Sequence, residues 1–156
     1  MALVQRRDTP DGVRYVVRSH IWENPYREDD PRYHDWRMNN NVVKELCREL
    51  FQRFPVPACK IDDEIKPGPS FAYDPWRFRP EAEALTGEGL AMVEFPQTDS
   101  RMVPASQVLY EVIMGEQVAH SGDPVERRHI HTVTPDQKDR GWRISKPKGS
   151  LKKIDF

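Results

Sequence analysis

At 156 residues, with 31% charged and 37% hydrophobic side chains, the chain is long enough for one domain with a real core, and its surface is strongly polar. No apolar run reaches the length of a membrane span and the N-terminus lacks a signal-peptide core, so the sequence reads as cytosolic and excludes a spanning protein. The net charge of −1 hides a segregation: Lys138, Arg140, Arg143, Lys146, Lys148, Lys152 and Lys153 face one acid, Asp139, within a short C-terminal stretch.

Ala2 to Gln5 reads as a strand fragment and Thr9-Pro10-Asp11-Gly12 as a turn. Val13 to Trp22 alternates, with Val13, Tyr15, Val17 and Ile21 on one face, which predicts a hairpin with one buried side. Asn24 to Arg37 mixes aromatics with acids and prolines and is expected to be an ordered loop. Asn39, Asn40 and Asn41 offer an N-cap to a helix whose apolar face is Val43, Leu46, Cys47, Leu50, Phe51 and Phe54; Pro55 ends it. Cys47 lies on that apolar side and predicts a buried thiol. Cys47 and Cys59 match no zinc spacing.

Asp62-Asp63-Glu64, before Pro67-Gly68-Pro69, reads as a solvated loop tip, because adjacent side chains point different ways and do not converge on one ion. A strand then ends at Asp74, where Pro75 stops it. Pro80 suits the first turn of a short helix, Glu81 to Leu85, closed by Gly87 and Gly89. Ala91 to Phe95 is the next strand. Pro104 is expected to open a helix carrying Ala105, Val108, Leu109, Val112 and Ile113 on one face, with Gly115 as its stop. Val118 to His120 predicts a short strand, and Asp123-Pro124 starts a helix to about Val133. Trp142 to Ser145 is a strand, followed by a basic loop and the first turn of a further helix at the end of the chain.

This element order is α/β with a mixed sheet, and it is the order of a ribonuclease H-like core. In such cores, carboxylates at strand ends converge on metal ions. Two ions about 3.5–4 Å apart can activate a water and stabilise the leaving oxygen of a phosphodiester, and they require hard oxygen ligands. Asp74, at a strand end before proline, is a candidate ligand, although Asp in that position also caps turns.

Ala72-Tyr73-Asp74-Pro75-Trp76-Arg77-Phe78 closely resembles the second acidic motif in the nuclease domain of tailed-phage large terminase subunits. Met92-Val93-Glu94-Phe95-Pro96-Gln97, Arg101 to Ser106, His120 to Pro124 and Arg140 to Lys146 continue the likeness in order. Lys152-Lys153-Ile154-Asp155 resembles the motif in which the last catalytic Asp opens the final helix. The resemblance implies a Mg²⁺- or Mn²⁺-dependent DNA endonuclease of ribonuclease H-like fold, occupying residues 1–156 as one partial domain. Asp74 and Asp155 would be its catalytic and metal-binding acids. Arg140, Arg143, Lys146, Lys148, Lys152 and Lys153 would guide double-stranded DNA. The implied partners are the terminase ATPase domain, the portal and the small terminase subunit, in the host cytoplasm.

Two departures stand beside the likeness. The family's first-strand Asp has no counterpart in Ala2 to Gln5, with Asp8 expected beyond the strand, and the helix after Asp155 is absent. The chain therefore reads as a piece of a terminase, from a split gene, a shortened reading frame or deliberate expression. Without the Walker-type phosphate loop it carries no ATPase. The alternative is a non-catalytic DNA-binding or docking piece that keeps the fold with an incomplete acid set. Glu94, at the next strand's end, is a substitute ligand if its side chain points to the site. His129 and His131, two apart on a helix, face different ways and are not expected to share a metal.

Overall fold

The structure is a computed structural model and describes residues 1–27, 29–54, 59–61, 64–66, 69–76 and 78–147, with 59–61 and 64–66 as backbone. In chain order the elements are β1 (Ala2–Thr9), β2 (Gly12–Ser19), α1 (Asn40–Arg53), β3 (Cys59–Ile61), β4 (Glu64–Lys66), β5 (Ser70–Tyr73), α2 (Arg79–Gly87), β6 (Ala91–Glu94), α3 (Asp99–Met114), β7 (Val118–His120), α4 (Pro124–His131), β8 (Thr134–Lys138) and β9 (Gly141–Ser145). The class is mixed α/β. Its strands fall into four sheets among the described residues: β1-β2-β7, β3-β4, β5-β6 and β8-β9. The chain packs as two compact units, one formed by Met1–Glu23 with the chain from Thr98 onward, the other by Asn24–Gln97.

In the first unit, β1 and β2 pair antiparallel in continuous register from Ala2↔Ser19 to Thr9↔Gly12. The turn between them needs a left-handed residue, and Gly12 supplies it at φ +116°. β2 then pairs parallel with β7, Tyr15 opposite Val118, which makes this a mixed sheet. The N-cap of α4 is Asp123, whose carboxylate accepts the N–H groups of Val125 and Glu126. On that helix Glu126 is buried and accepts a hydrogen bond from the Ser19 hydroxyl at 2.8 Å. The β8-β9 hairpin packs on α3. Ser106, 2% exposed, accepts the Ile144 N–H at 3.0 Å, Tyr110 meets Trp142 edge-on, and Arg143 pairs with Asp99 at 2.9 Å. At the hairpin turn Gly141 has φ +137°, and a Cβ there would sit 3.1 Å from a Val103 methyl.

The second unit is built on α1, α2 and the parallel pair β5-β6. Asn39 caps α1 through its side chain, accepting the Asn41 N–H at 3.0 Å. Cys47 points inward at 2% exposure, and burial pushes its thiol up to about 11. Ala82, Leu85, Leu90 and Ala91 are the buried apolar residues where α2 lies on β6, and Leu85 is fully enclosed. The Arg48 guanidinium forks onto Glu88 at 2.6 and 2.7 Å, fastening α1 to the end of α2 and holding the Glu88 carboxyl below its ordinary range.

Several expectations need correction. β1 runs to Thr9, so Asp8 is a strand residue opposite Val13; the charged run Arg6-Arg7-Asp8 masked a strand that is exposed along most of its length. β3 and β4 form a hairpin that had not been assigned, with Ile61 opposite Glu64; of the expected loop tip, Glu64 is a strand residue, and Asp62 and Asp63 lie outside the described residues. α3 begins at Asp99, with Pro104 inside it, because Thr98 and Asp99 already start the helix. Its predicted apolar face is largely exposed: Val108 at 57%, Leu109 at 41% and Ile113 at 53%, while the polar Ser106 is buried in its place. β8 was missed because Pro135 argues against a strand; it is tolerated in a two-stranded ladder.

Leu85→Ala removes a fully enclosed side chain and is expected to lower stability by about 2–5 kcal/mol. Ser106→Ala orphans the Ile144 N–H and should cost about 1–3 kcal/mol. Urea unfolding followed by circular dichroism checks both. A Cys47 thiol this buried should resist iodoacetamide at neutral pH until urea opens the fold, as peptide mass spectrometry would read; ready alkylation of the native protein contradicts the burial.

Candidate functional site

The parallel register of β5 and β6 sets Ser70 opposite Ala91 and Tyr73 opposite Glu94. The Phe95 N–H continues the ladder by donating to the Tyr73 carbonyl at 2.8 Å. Both strands therefore end at one edge, and Asp74 follows directly on β5 there. In open α/β sheets this C-terminal edge is where ligands are held.

Asp74 is half-buried. Its Oδ1 accepts the backbone N–H of Trp76 at 3.0 Å, the Asx turn that aspartate before proline favours. The turn-capping role is thus realised, and Oδ2 is the oxygen with which Asp74 can meet a ligand. Across the edge, Glu94 is committed to protein partners. Its Oε1 accepts the Tyr73 hydroxyl at 3.3 Å and lies 3.2 Å from Arg79 Nη1, while Oε2 accepts from Arg79 Nη2 at 3.4 Å. Burial, and next the Glu94 charge, raise the Tyr73 phenol above its ordinary value. The Tyr73 ring also contacts Phe78, 6.1 Å between centroids, which anchors the far side of the turn.

The expected site residues are not all brought together by the described chain. Asp155, Lys148, Lys152 and Lys153 lie outside the described residues. Arg140 is exposed in the β8-β9 turn, and Lys146 is exposed just past β9. Arg143 has a side chain only 20% exposed, paired with Asp99. Lys138 pairs with Asp136 at 2.9 Å, and that hydrogen bond holds its ammonium above the ordinary lysine range. Two of the clustered basic charges are therefore matched by acids from elsewhere in the same unit.

Among the described residues no group of three His, Cys, Asp or Glu side chains is arranged to hold a metal ion. His129 Nε2 lies 3.4 Å from Glu23 Oε1, whereas His131 meets Arg127. The Glu94–Arg79–Tyr73 cluster was not read from the sequence. The one signal for it was the equal length of the two strands, which puts Tyr73 and Glu94 at matching positions in a parallel pair.

Compared with known proteins, the sequence matches no protein family and no curated protein. Its structure is similar to the crystal structure of the HK97 bacteriophage large terminase, with TM-score 0.64 and 21% identity, over 99% of this chain and 34% of that one. The chain thus has a terminase-like fold and spans about a third of that protein's length. No helix among the described residues is long and apolar enough to cross a membrane.

The two roles open to Asp74 can be separated. Asp74→Asn keeps an oxygen for the Trp76 N–H and should leave stability within about 0.5 kcal/mol of wild type. Asp74→Ala loses the cap and is expected to cost about 0.5–1.5 kcal/mol. Equal stability of the two variants would show that the turn does not depend on the carboxylate oxygen.

Proposed function

We propose that the chain is a ribonuclease H-like nuclease-domain piece of a phage-type large terminase, acting on double-stranded DNA, with Asp74 at its reacting edge and Asp155 as the partner acid. The observation that carries the reading is the position of Asp74 at the common end of two parallel strands, within a fold that follows a large terminase over 99% of the chain. The ordered motifs around Asp74 support it independently. Under this reading the ions are Mg²⁺ or Mn²⁺, and the ATPase domain, portal and small subunit of a packaging motor are the partners.

Hard divalent ions require several oxygen ligands. The described residues offer the Asp74 carboxylate, while both oxygens of Glu94 are engaged by Tyr73 and Arg79. They do not by themselves make a two-ion centre. What the chain's own groups contribute is electrostatic. Arg79 cancels the Glu94 charge, leaving one net carboxylate at the edge instead of two, which lowers the repulsion met by a phosphate backbone. Arg140 and Lys146 supply exposed cations for phosphates.

A second reading, a DNA-binding or docking piece without cleavage, is favoured by the occupied state of Glu94 and by the pairing of Asp8, the acid on β1, with Arg6 at 3.0 Å. Duplex binding measured by fluorescence anisotropy should weaken at least about tenfold between 50 and 200 mM salt, as counterion release requires. Replacing Arg140 and Lys146 together by Ala should weaken it further, whereas Arg143→Ala should act mainly on stability through lost pairing with Asp99. Supercoiled plasmid in Mn²⁺ is expected to be nicked very slowly or not at all. Robust nicking abolished by Asp74→Asn would establish a complete acid set and exclude the second reading. Absence of duplex binding at low salt would remove both.

A further inference from the structure

Trp76 is the most exposed large apolar side chain among the described residues, at 76%. It is not on a frayed end. Its own N–H is held by Asp74 Oδ1, Pro75 before it fixes φ, and two residues later Phe78 is pinned by Tyr73 and by the Ala82 N–H that its carbonyl accepts. The turn is therefore tied on both sides of a projecting indole, next to the carboxylate at the strand edge.

An indole held out in water needs a partner that can use a flat, polarisable face. Near it along the chain and across the edge, Arg79 and Glu94 are exposed and charged, while Tyr73 and Phe78 are half-buried. An exposed, tethered indole near an ion pair is suited to stacking an unpaired base, because every base offers a π face while its edges and phosphates stay solvated. Neutralisation of Glu94 by Arg79 lets a polyanion come near.

We propose that Trp76 is a base-stacking residue that takes an unpaired nucleobase of a nucleic-acid strand beside Asp74. The proposal rests on the DNA-binding reading above, and it adds a preference that a cationic surface alone does not give: for strands with unstacked bases over intact duplex.

The test compares wild type, Trp76→Ala and Trp76→Phe by anisotropy, with a labelled single-stranded oligonucleotide, the same strand bearing abasic sites, and the fully paired duplex. Because Trp76 is exposed, all three proteins should give the same circular dichroism. Trp76→Ala should bind the single strand roughly tenfold more weakly and the duplex within about threefold, with most of the loss restored in Trp76→Phe. The abasic strand should bind wild type about as weakly as the normal strand binds Trp76→Ala. If wild type binds the single strand and Trp76→Ala matches it, or if the abasic strand binds as well, the stacking role is overturned while the DNA reading stands. If wild type binds none of the three, the DNA reading falls with it. An unaltered DNA profile together with Trp76-dependent binding to a second protein would reassign the indole to a protein interface.

Discussion

Enclosure of Leu85 is the constraint on which the strand edge at Asp74 depends. α2 must lie on β6 for that side chain, with Ala82, Leu90 and Ala91, to leave water, and burying a leucine is worth roughly 1.5–3 kcal/mol. Once the helix is seated, the crossover between β5 and β6 has no slack. A parallel ladder has one register that keeps this packing, and a one-residue slip would send Phe71 and Tyr73 to the opposite face. The pairing of Tyr73 with Glu94 follows, and with it the place of Asp74, the grip of Arg79 on Glu94 and the projection of the following turn. The arrangement of side chains at the edge is thus set by apolar packing one layer away.

A comparable device holds the other unit. α3 meets the β8-β9 hairpin through a buried hydroxyl: Ser106 accepts the Ile144 N–H, and Asp99 neutralises Arg143 beside it. A polar contact of this kind gives little net energy when made and a larger penalty when broken. It therefore specifies the hairpin's position more than it stabilises it. Its consequence for electrostatics is that the basic stretch is less positive than its composition suggests.

Elements with one strong local signal were legible in the sequence. The cap at Asn39, the stop before Pro55, the Asp123-Pro124 start of α4 and the turn ending in Gly12 each appear in place. So does the buried thiol of Cys47. The failures share a cause, which is that the deciding contact is distant in sequence. Nothing local marks Ser106 as the buried face of α3, since its partner Ile144 is far along the chain; by periodicity alone the Val108–Ile113 stripe looked like the inward side. Pro104 resembled a helix start because proline suits a first turn, yet the helix had already begun at Asp99. At the candidate site, Asp74 could be placed from its neighbours Tyr73 and Pro75. Both of its characters, cap and candidate ligand, were legible there, and the Trp76 N–H shows the cap in place. The engagement of Glu94 depended on the register of two strands separated by a helix.

The parallel pairing of β2 with β7 gives the two units different relations to chain order. Asn24–Gln97 is continuous, so its contacts close short loops and can form as soon as that stretch is available. The other unit has β2 near the start of the sequence and β7 far beyond it, with the whole of Asn24–Gln97 lying between Tyr15 and its partner Val118. Closing that gap with an unfolded tether carries a loop entropy that grows as the logarithm of its length; a tether already collapsed into a compact body is shorter and carries less. The inserted unit thereby acts as a spacer that shortens the search of one strand for the other. Loss of its packing would be felt in the pairing of two strands that contain none of its residues.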